Sequence, residues 1–441
     1  MATVLEQFAA NVSGSGKGGE ELLALHLLDT LGAFYAGGET EETGLLRALT
    51  VSVPGAPAAL GSGLLDTLAY RIAVIRNTEI DDIHMGSCVT PGSVVVPVAL
   101  TIAEKLGEPN PATFARSLAA GYEAMTRLSL AVGGATILYR GVWPTFFAGP
   151  VGAAAVASVL LGLDSARTTD ALSMALMLTS GATGGHGAAS PRWILLGQAA
   201  RAGVFAALAA SKGMRGDAML LDGDWLQRTH GIACDPSFLV APVEGAGAIT
   251  TISYKPWCSA KQGMAAIDGF RRVLKKRTIE AIKSVKVAVP PAYVGMIGHR
   301  NAAKGRIERI TGAAYQLALA AYNPAMLDDV LRPDLTGDAK IAAFMPRIEI
   351  VADPALAPYF PKHYPARVEA TLADGTTITE LVTDAAGDPE RTLSATELRT
   401  KFHRHADPVL GNADAATLAG AAMAATTDAA ALATVLAAFA R

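Results

Sequence analysis

In the stretch YKPWCSAKQGMAAID, Tyr254 to Asp268, two lysines flank a tryptophan and a cysteine just before an apolar, helix-like run. Three uses compete for such a cluster: a surface loop, a thiol or metal site, or a pocket for an anion. Cys258 as a nucleophile would need a histidine close by to take its proton, and none is local. Lys255 and Lys261 at the entry to a helix suit an anionic substrate better, with Lys255 as the catalytic candidate and Lys261 as a second anion contact.

Three further segments carry groups of the same kind. NTEIDDIHMGSCVTPGSVVVP, Asn77 to Pro97, places three carboxylates and His84 ahead of a polar loop and a very apolar helix. The plain reading is a helix end with solvated acids, followed by the cap of the next helix. The functional reading is a binding loop in which His84 acts as acid, base or anion donor, with Asp82 and Thr90 among the binding groups. A metal held by Asp81, Asp82 and His84 lacks a second histidine cluster to complete it, so no metal is expected. LYRGVWPTFFAGP, Leu138 to Pro150, offers Tyr139 and Arg140 towards a pocket, and its Trp-Pro step requires an extended backbone at Trp143. GGHGAASPRWILLGQAARAG, Gly184 to Gly203, puts Arg192 near a helix start, where its guanidinium could grip a carboxylate with two bonds.

Arg, Lys, His and Tyr thus recur in a chain otherwise poor in charge. Charged residues are 17% of the sequence against roughly 25% in ordinary soluble domains, and AVILMFWYC is 51%. A net charge of −3 leaves no electrostatic footprint for nucleic acid. There is no phosphate-cradling Walker loop and no GxGxxG entering a helix after a strand. A small carboxylate is the substrate class that remains. Three cysteines without a CxxC pair exclude a disulfide framework or zinc ribbon. The first twenty residues show no secretory apolar core, and no uninterrupted apolar run reaches the roughly 20 residues that span a bilayer. The expectation is a soluble, cytoplasmic protein with no membrane partner.

These groups need elements to hold them. From Glu20 to about Met219 the apolar spacing is helical throughout, with Leu22, Leu23, Leu25, Leu27, Leu28 and Leu31 as a broad apolar face. Near Pro242 the pattern changes. SVKVAVP, RIEIVAD and ARVEATLADGTTITELV alternate with period two and predict strands, with a hairpin turn at Ala373 to Thr376. Helices are predicted over Gly263 to Lys276 and Ile310 to Tyr322, and again after about Ser394. The fold class is mainly α. A large all-helical domain comprises 1–245 and 395–441, and a smaller α+β domain comprises 246–394.

The order of these pieces resembles the MmgE/PrpD family, which contains 2-methylcitrate dehydratase, cis-aconitate decarboxylase and iminodisuccinate epimerase. The likeness is carried by N-x-x-x-DD followed by PGSVVVPVALTIAE, then GYEAMTRL, GVWPTFFAGPVGAAAVASVLLGL, LLGQAARAGVFAALAASKGMRG and YKPW…AAID. It implies an active site in the cleft between a large helical and a small α+β domain, usually in a homodimer, with no metal or organic cofactor. Lys255 matches the lysine of that family's KPYPCCRHTHAAID-like motif, and Tyr315 matches a tyrosine of its pocket. The departures lie at the histidines. The dehydratase and decarboxylase branches carry His where this chain has Thr90, His-Pro-Thr where it has Trp143-Pro144-Thr145, and Lys near Arg192. Their motif histidines fall on residues such as Ala260, Gln262 and Met264.

Dehydration needs a general acid for the departing hydroxyl, and lost histidines weaken that reading. Epimerisation beside a carboxylate needs one group to remove the α-proton, another to return it, and cations to stabilise the intermediate. Lys255, Tyr139, Tyr315 and His84 are the catalytic candidates. Arg192, Lys261, Asp82, Arg140, Trp143 and Thr90 are the binding candidates. The expected function is a cofactor-independent epimerase of an iminodisuccinate-like polycarboxylate, with a dehydratase or decarboxylase as the alternative. A carboxylate-binding protein without turnover is the third reading.

Overall fold

Nine α-helices precede Lys212 among the described residues: α1 (Val4–Gly14), α2 (Glu20–Gly38), α3 (Glu41–Val51), α4 (Leu64–Arg76), α5 (Gly92–Leu106), α6 (Pro111–Ala131), α7 (Pro144–Leu160), α8 (Ser165–Met177) and α9 (Ser190–Ser211). The structure is a computed structural model and describes residues 1–15, 18–51, 63–107, 110–179, 190–300 and 302–440. The helices form where the sequence stops and starts them. Asn110 caps α6 by accepting from Ala112 N at 2.8 Å, with Pro111 at the first helical position. Every residue of α7 from Pro144 to Ser158 is buried, and α7 packs against α5, α6, α8 and α9. Its Ala- and Gly-rich sequence allows a helix to be surrounded on all sides.

The chain divides into two units, each taken separately. The first is Met1–Asn77, Asp81–Ile252 and Ser394–Arg441. Its C-terminal part is three helices, Ala395–Leu410, Asn412–Ala424 and Ala429–Phe439. The first of these opens with a reciprocal cap between Ser394 and Glu397 and packs on α2, where Lys401 Nζ meets Asp29 Oδ1 at 2.6 Å. One described helical stretch, Trp193–Ser211 in α9, is long and apolar enough to cross a bilayer, although the running hydrophobicity predicts none. Half of it is buried, and α9 packs against α4, α7 and α8, the pattern of a core helix.

The second unit is Ser253–Leu393 with Thr78–Ile80. Its four-stranded sheet runs in the order Ile348–Ala352, Ile282–Val289, Ala366–Leu372, Thr377–Val382. The first pair is parallel and the other two are antiparallel. Burial alternates residue by residue along Ala366–Leu372, as the period-two pattern predicts. The turn between the last two strands closes through Gly375 N to Leu372 O at 3.0 Å, with Gly375 at φ 86°. Helix Lys261–Lys276 lies on the last two strands and against Ala313–Tyr322. The helix predicted over Ile310 to Tyr322 is two, Arg306–Thr311 and Ala313–Tyr322, because Gly312 takes an extended ψ of 104°.

Candidate active site

In the first unit, the polar segment after α4 has its acids buried, not solvated. Asp81 and Asp82 are both fully enclosed. Asp81 Oδ1 accepts from Arg76 Nη1 at 3.3 Å. Asp82 Oδ1 accepts from Gly92 N at 2.8 Å, the first residue of α5. Its Oδ2 accepts from Tyr122 Oη at 2.7 Å and lies 2.9 Å from His26 Nδ1. Position 92 has room for nothing larger than glycine. A Cβ there would fall 2.8 Å from both Asp82 oxygens and from Thr30 Oγ1. Asp82, expected among the substrate-binding groups, is instead consumed by protein contacts and pins the start of α5. The three donors considered for a metal, Asp81, Asp82 and His84, are spent on separate partners.

His84 sits in a tightly bonded loop. His84 N donates to Val89 O at 2.9 Å, and Cys88 N donates to His84 O at 2.8 Å. Ser87 N donates to His84 Nδ1 at 3.1 Å, with Ser87 Oγ 2.7 Å from the same nitrogen. Cys88 holds a left-handed backbone, φ 56°, uncommon outside glycine. The imidazole is pushed down to a pKa of about 4 by burial alone. Thr90 is buried, its N donating to Thr145 Oγ1 at 3.1 Å and its hydroxyl within 3.4 Å of those of Ser93 and Thr145.

In the second unit, Lys255 is 1% exposed, and its Nζ lies 3.5 Å from Glu79 Oε2. Glu79 is itself buried and has a left-handed backbone, φ 58°. Strained, buried carboxylates of this kind cluster at functional sites. The surrounding motif is held firmly. Tyr254 N donates to Gly387 O at 2.8 Å, and Gly387 has φ 92° with a would-be Cβ 2.3 Å from Tyr254 O. Cys258 packs as a small hydrophobe, its Sγ–H 3.0 Å from Thr78 O.

Lys261 is not available to hold a substrate carboxylate. It forms a buried ion pair with Asp388 and lies 3.1 Å from Ser253 Oγ. Burial pushes its pKa below the ordinary lysine value, and Asp388 opposes that shift. Asp388 Oδ2 accepts from Ala385 N at 2.8 Å, so this pair ties the motif to the 385–388 turn. Tyr315 is fully buried and its Oη accepts from Leu335 N at 3.4 Å. Burial raises its pKa, so the phenol keeps its proton at neutral pH and has that proton to donate.

Tyr139 and Arg140, expected to face a pocket, end an outward 3-10 turn, Gly134–Arg140. Tyr139 is 37% exposed, and Arg140 donates to Gly231 O at 2.8 Å. Trp143 has the extended backbone its proline requires, φ −82°, ψ 114°. It is buried under the Arg76 guanidinium, 5.4 Å from ring centre to Cζ, and so serves as packing. Arg192 lies in the first turn of α9, but its side chain, and the Gly-rich residues 184–189 before it, lie outside the described residues. Among the described residues, His363, Asp384 and Glu390 bring three metal-type donor atoms within 4.8 Å of one another. His363 Nδ1 and Asp384 Oδ1 already pair at 2.6 Å.

Residues 20–229 match the MmgE/PrpD N-terminal domain, and residues 257–425 match the MmgE/PrpD C-terminal domain. The chain belongs to the MmgE/PrpD family. No curated protein matches it. MmgE/PrpD membership makes it an enzyme of the dehydratase or isomerase type acting on small carboxylates. The N-terminal MmgE/PrpD match contains Glu79 and the His84 loop, while Lys255 falls between the two matched stretches. Reasoning from residue types missed Glu79, which stands two residues before the paired aspartates. The only signal in the sequence was its presence as a third acid in a segment flanked by apolar helices.

Proposed function

We propose that this MmgE/PrpD protein is a cofactor-independent isomerase or epimerase that moves a proton at a carbon beside a carboxylate of a small, iminodisuccinate-like polycarboxylate. The observation that carries the reading is the buried Lys255–Glu79 pair at 3.5 Å. Glu79 as carboxylate takes the α-proton, and the electron pair of the broken C–H bond moves into the adjacent carboxylate. Lys255 as ammonium stabilises the dianionic oxygens that result, worth most in a site shielded from water. Two groups this close reach the carbon from one face. Return of a proton to the opposite face then falls to a third donor, and Tyr315, whose phenol stays protonated, is the candidate in the same unit. The tyrosinate regains its proton from water, and Glu79 releases its own.

The lyase reading relied on His84 as an acid for the departing group. A histidine held near pKa 4 carries almost no transferable proton at neutral pH, which favours isomerisation. The homodimer implied by the resemblance is part of this proposal, and sedimentation at working concentration tests it. Chiral chromatography of single enantiomers from a panel of di- to tetracarboxylates tests the activity. Appearance of the opposite configuration without loss of water or carbon dioxide supports it. Release of water or carbon dioxide instead assigns the enzyme to the lyases.

A further inference from the structure

We propose that Asp388 is a positioning residue of the second unit, which sets Lys255 against Glu79 by gripping the chain on both sides of the lysine. On one side, Ser253 Oγ donates to Asp388 Oδ1 at 2.6 Å, and Tyr254 N donates to the neighbouring Gly387 O at 2.8 Å. On the other side, Lys261 closes a buried ion pair with the same Asp388 oxygen and donates to Ser253 Oγ at 3.1 Å. Lys255 lies between these ties, and Asp388, Ser253 and Lys261 are all buried.

The turn that carries Asp388 is itself fixed. Asp388 Oδ2 accepts from Ala385 N at 2.8 Å. Gly387 N donates to Arg391 O at 2.9 Å, and Arg391 N donates to Asp388 O at 2.8 Å. Arg391 also pairs with Asp268, which belongs to the helix that Lys261 begins. Only glycine fits at 387, because a Cβ there would fall 2.3 Å from Tyr254 O and 3.2 Å from Pro256 Cδ, the chain neighbours of Lys255. A buried ion pair costs desolvation that apolar side chains avoid; what it supplies well is a fixed register. Burial is the main cause of the lowered Lys261 pKa, Asp388 opposes it, and Lys255 lowers it further. Asp388 therefore also neutralises a cation whose field reaches Lys255.

The catalytic consequence rests on the isomerase reading above, whereas the tie between Asp388 and Lys255 does not, and two measurements on the full chain separate them. The first is a stability cycle of Lys255→Met and Glu79→Gln by urea unfolding, run in the parent and in Asp388→Asn. The Lys255–Glu79 coupling is expected to fall by about half or more in Asp388→Asn. An unchanged coupling overturns the proposal, and no turnover is needed to see it. The second is steady-state kinetics. Asp388→Asn is expected to lose about 10- to 100-fold in kcat, with KM within about threefold of the parent. The double variant Lys261→Met/Asp388→Leu removes both charges and leaves no lone buried cation. It is expected to recover stability while kcat stays low. Recovery of kcat together with stability makes Asp388 a merely structural residue and overturns the proposal. Should Asp388→Asn not fold, Gly387→Ala pushes on Tyr254 and Pro256 with the ion pair left in place, and it takes the same two measurements with the same outcomes. Absence of turnover on every carboxylate refutes the isomerase reading, while the coupling still decides whether Asp388 sets Lys255 against Glu79.

Discussion

Lys255 Nζ lies 3.5 Å from Glu79 Oε2, both side chains buried, although one residue stands in the first fifth of the chain and the other past its middle. The left-handed backbone at Glu79 shows that local conformational preference is overruled to bring the carboxylate there.

Replacing Glu79 with Gln should therefore remove the base while keeping the shape. We expect kcat to fall about 10²- to 10⁴-fold, with KM changed much less. Lys255→Met should lose at least as much. Steady-state kinetics with circular dichroism as a folding control checks both.

Gly92→Ala should destabilise the first unit without touching the Lys255–Glu79 pair. Its methyl must displace Asp82 or Thr30, each 2.8 Å away. A cost of about 1–3 kcal/mol is expected, measured by urea unfolding. An Ala variant as stable as the parent would show that the Asp82 cradle is loose.

Lys401 and Asp29 form a buried pair at 2.6 Å in which Asp29 Oδ2 has no partner among the described residues. Burial raises the Asp29 pKa and Lys401 opposes it. Lys401→Met leaves the carboxylate alone in the interior, so a loss of about 3–5 kcal/mol is expected. Asp29→Asn in the same background should recover part of it, because the uncompensated charge is gone. Chemical denaturation of the single and double variants measures the coupling.

Acid should weaken the first unit through two histidines. Burial lowers His405 to about 3 and His84 to about 4. Below the ordinary value of 6.5 the unfolded chain binds a proton that the folded chain refuses, so stability falls as pH falls. For His405 the slope is at most about 1.4 kcal/mol per pH unit, continuing until its folded pKa is reached. Among the described residues His405 Nε2 is buried without a hydrogen-bond partner, so His405→Leu should unfold later in acid and show a shallower decline between pH 6.5 and 4.

Much of this arrangement is legible in the sequence because it depends on local periodicity. The alternation of Ala366–Leu372, the Asp-Gly turn after it and the helical spacing of α2 each report one element's own burial. Lys255 stands out because a lysine beside tryptophan is unusual in so uncharged a chain. The partners do not stand out, because each is supplied by a distant segment. Asp82 is claimed by α2, α5 and α6 together, and Lys261 by a turn 127 residues away, so both look like free ligands until the chain is folded. Tyr139 and Arg140 carry the right chemistry for a pocket, but two glycines with positive φ, Gly133 and Gly134, turn that segment outward.

The central claim is that Glu79 and Lys255 remove a proton from carbon. Incubating the protein with a chiral polycarboxylate substrate in deuterated water, and following the α-carbon by proton NMR and mass spectrometry, tests it directly. One deuterium should enter at that carbon as the configuration changes, and Glu79→Gln should abolish the exchange. Turnover with no deuterium at the α-carbon, or undiminished exchange in Glu79→Gln, would contradict it.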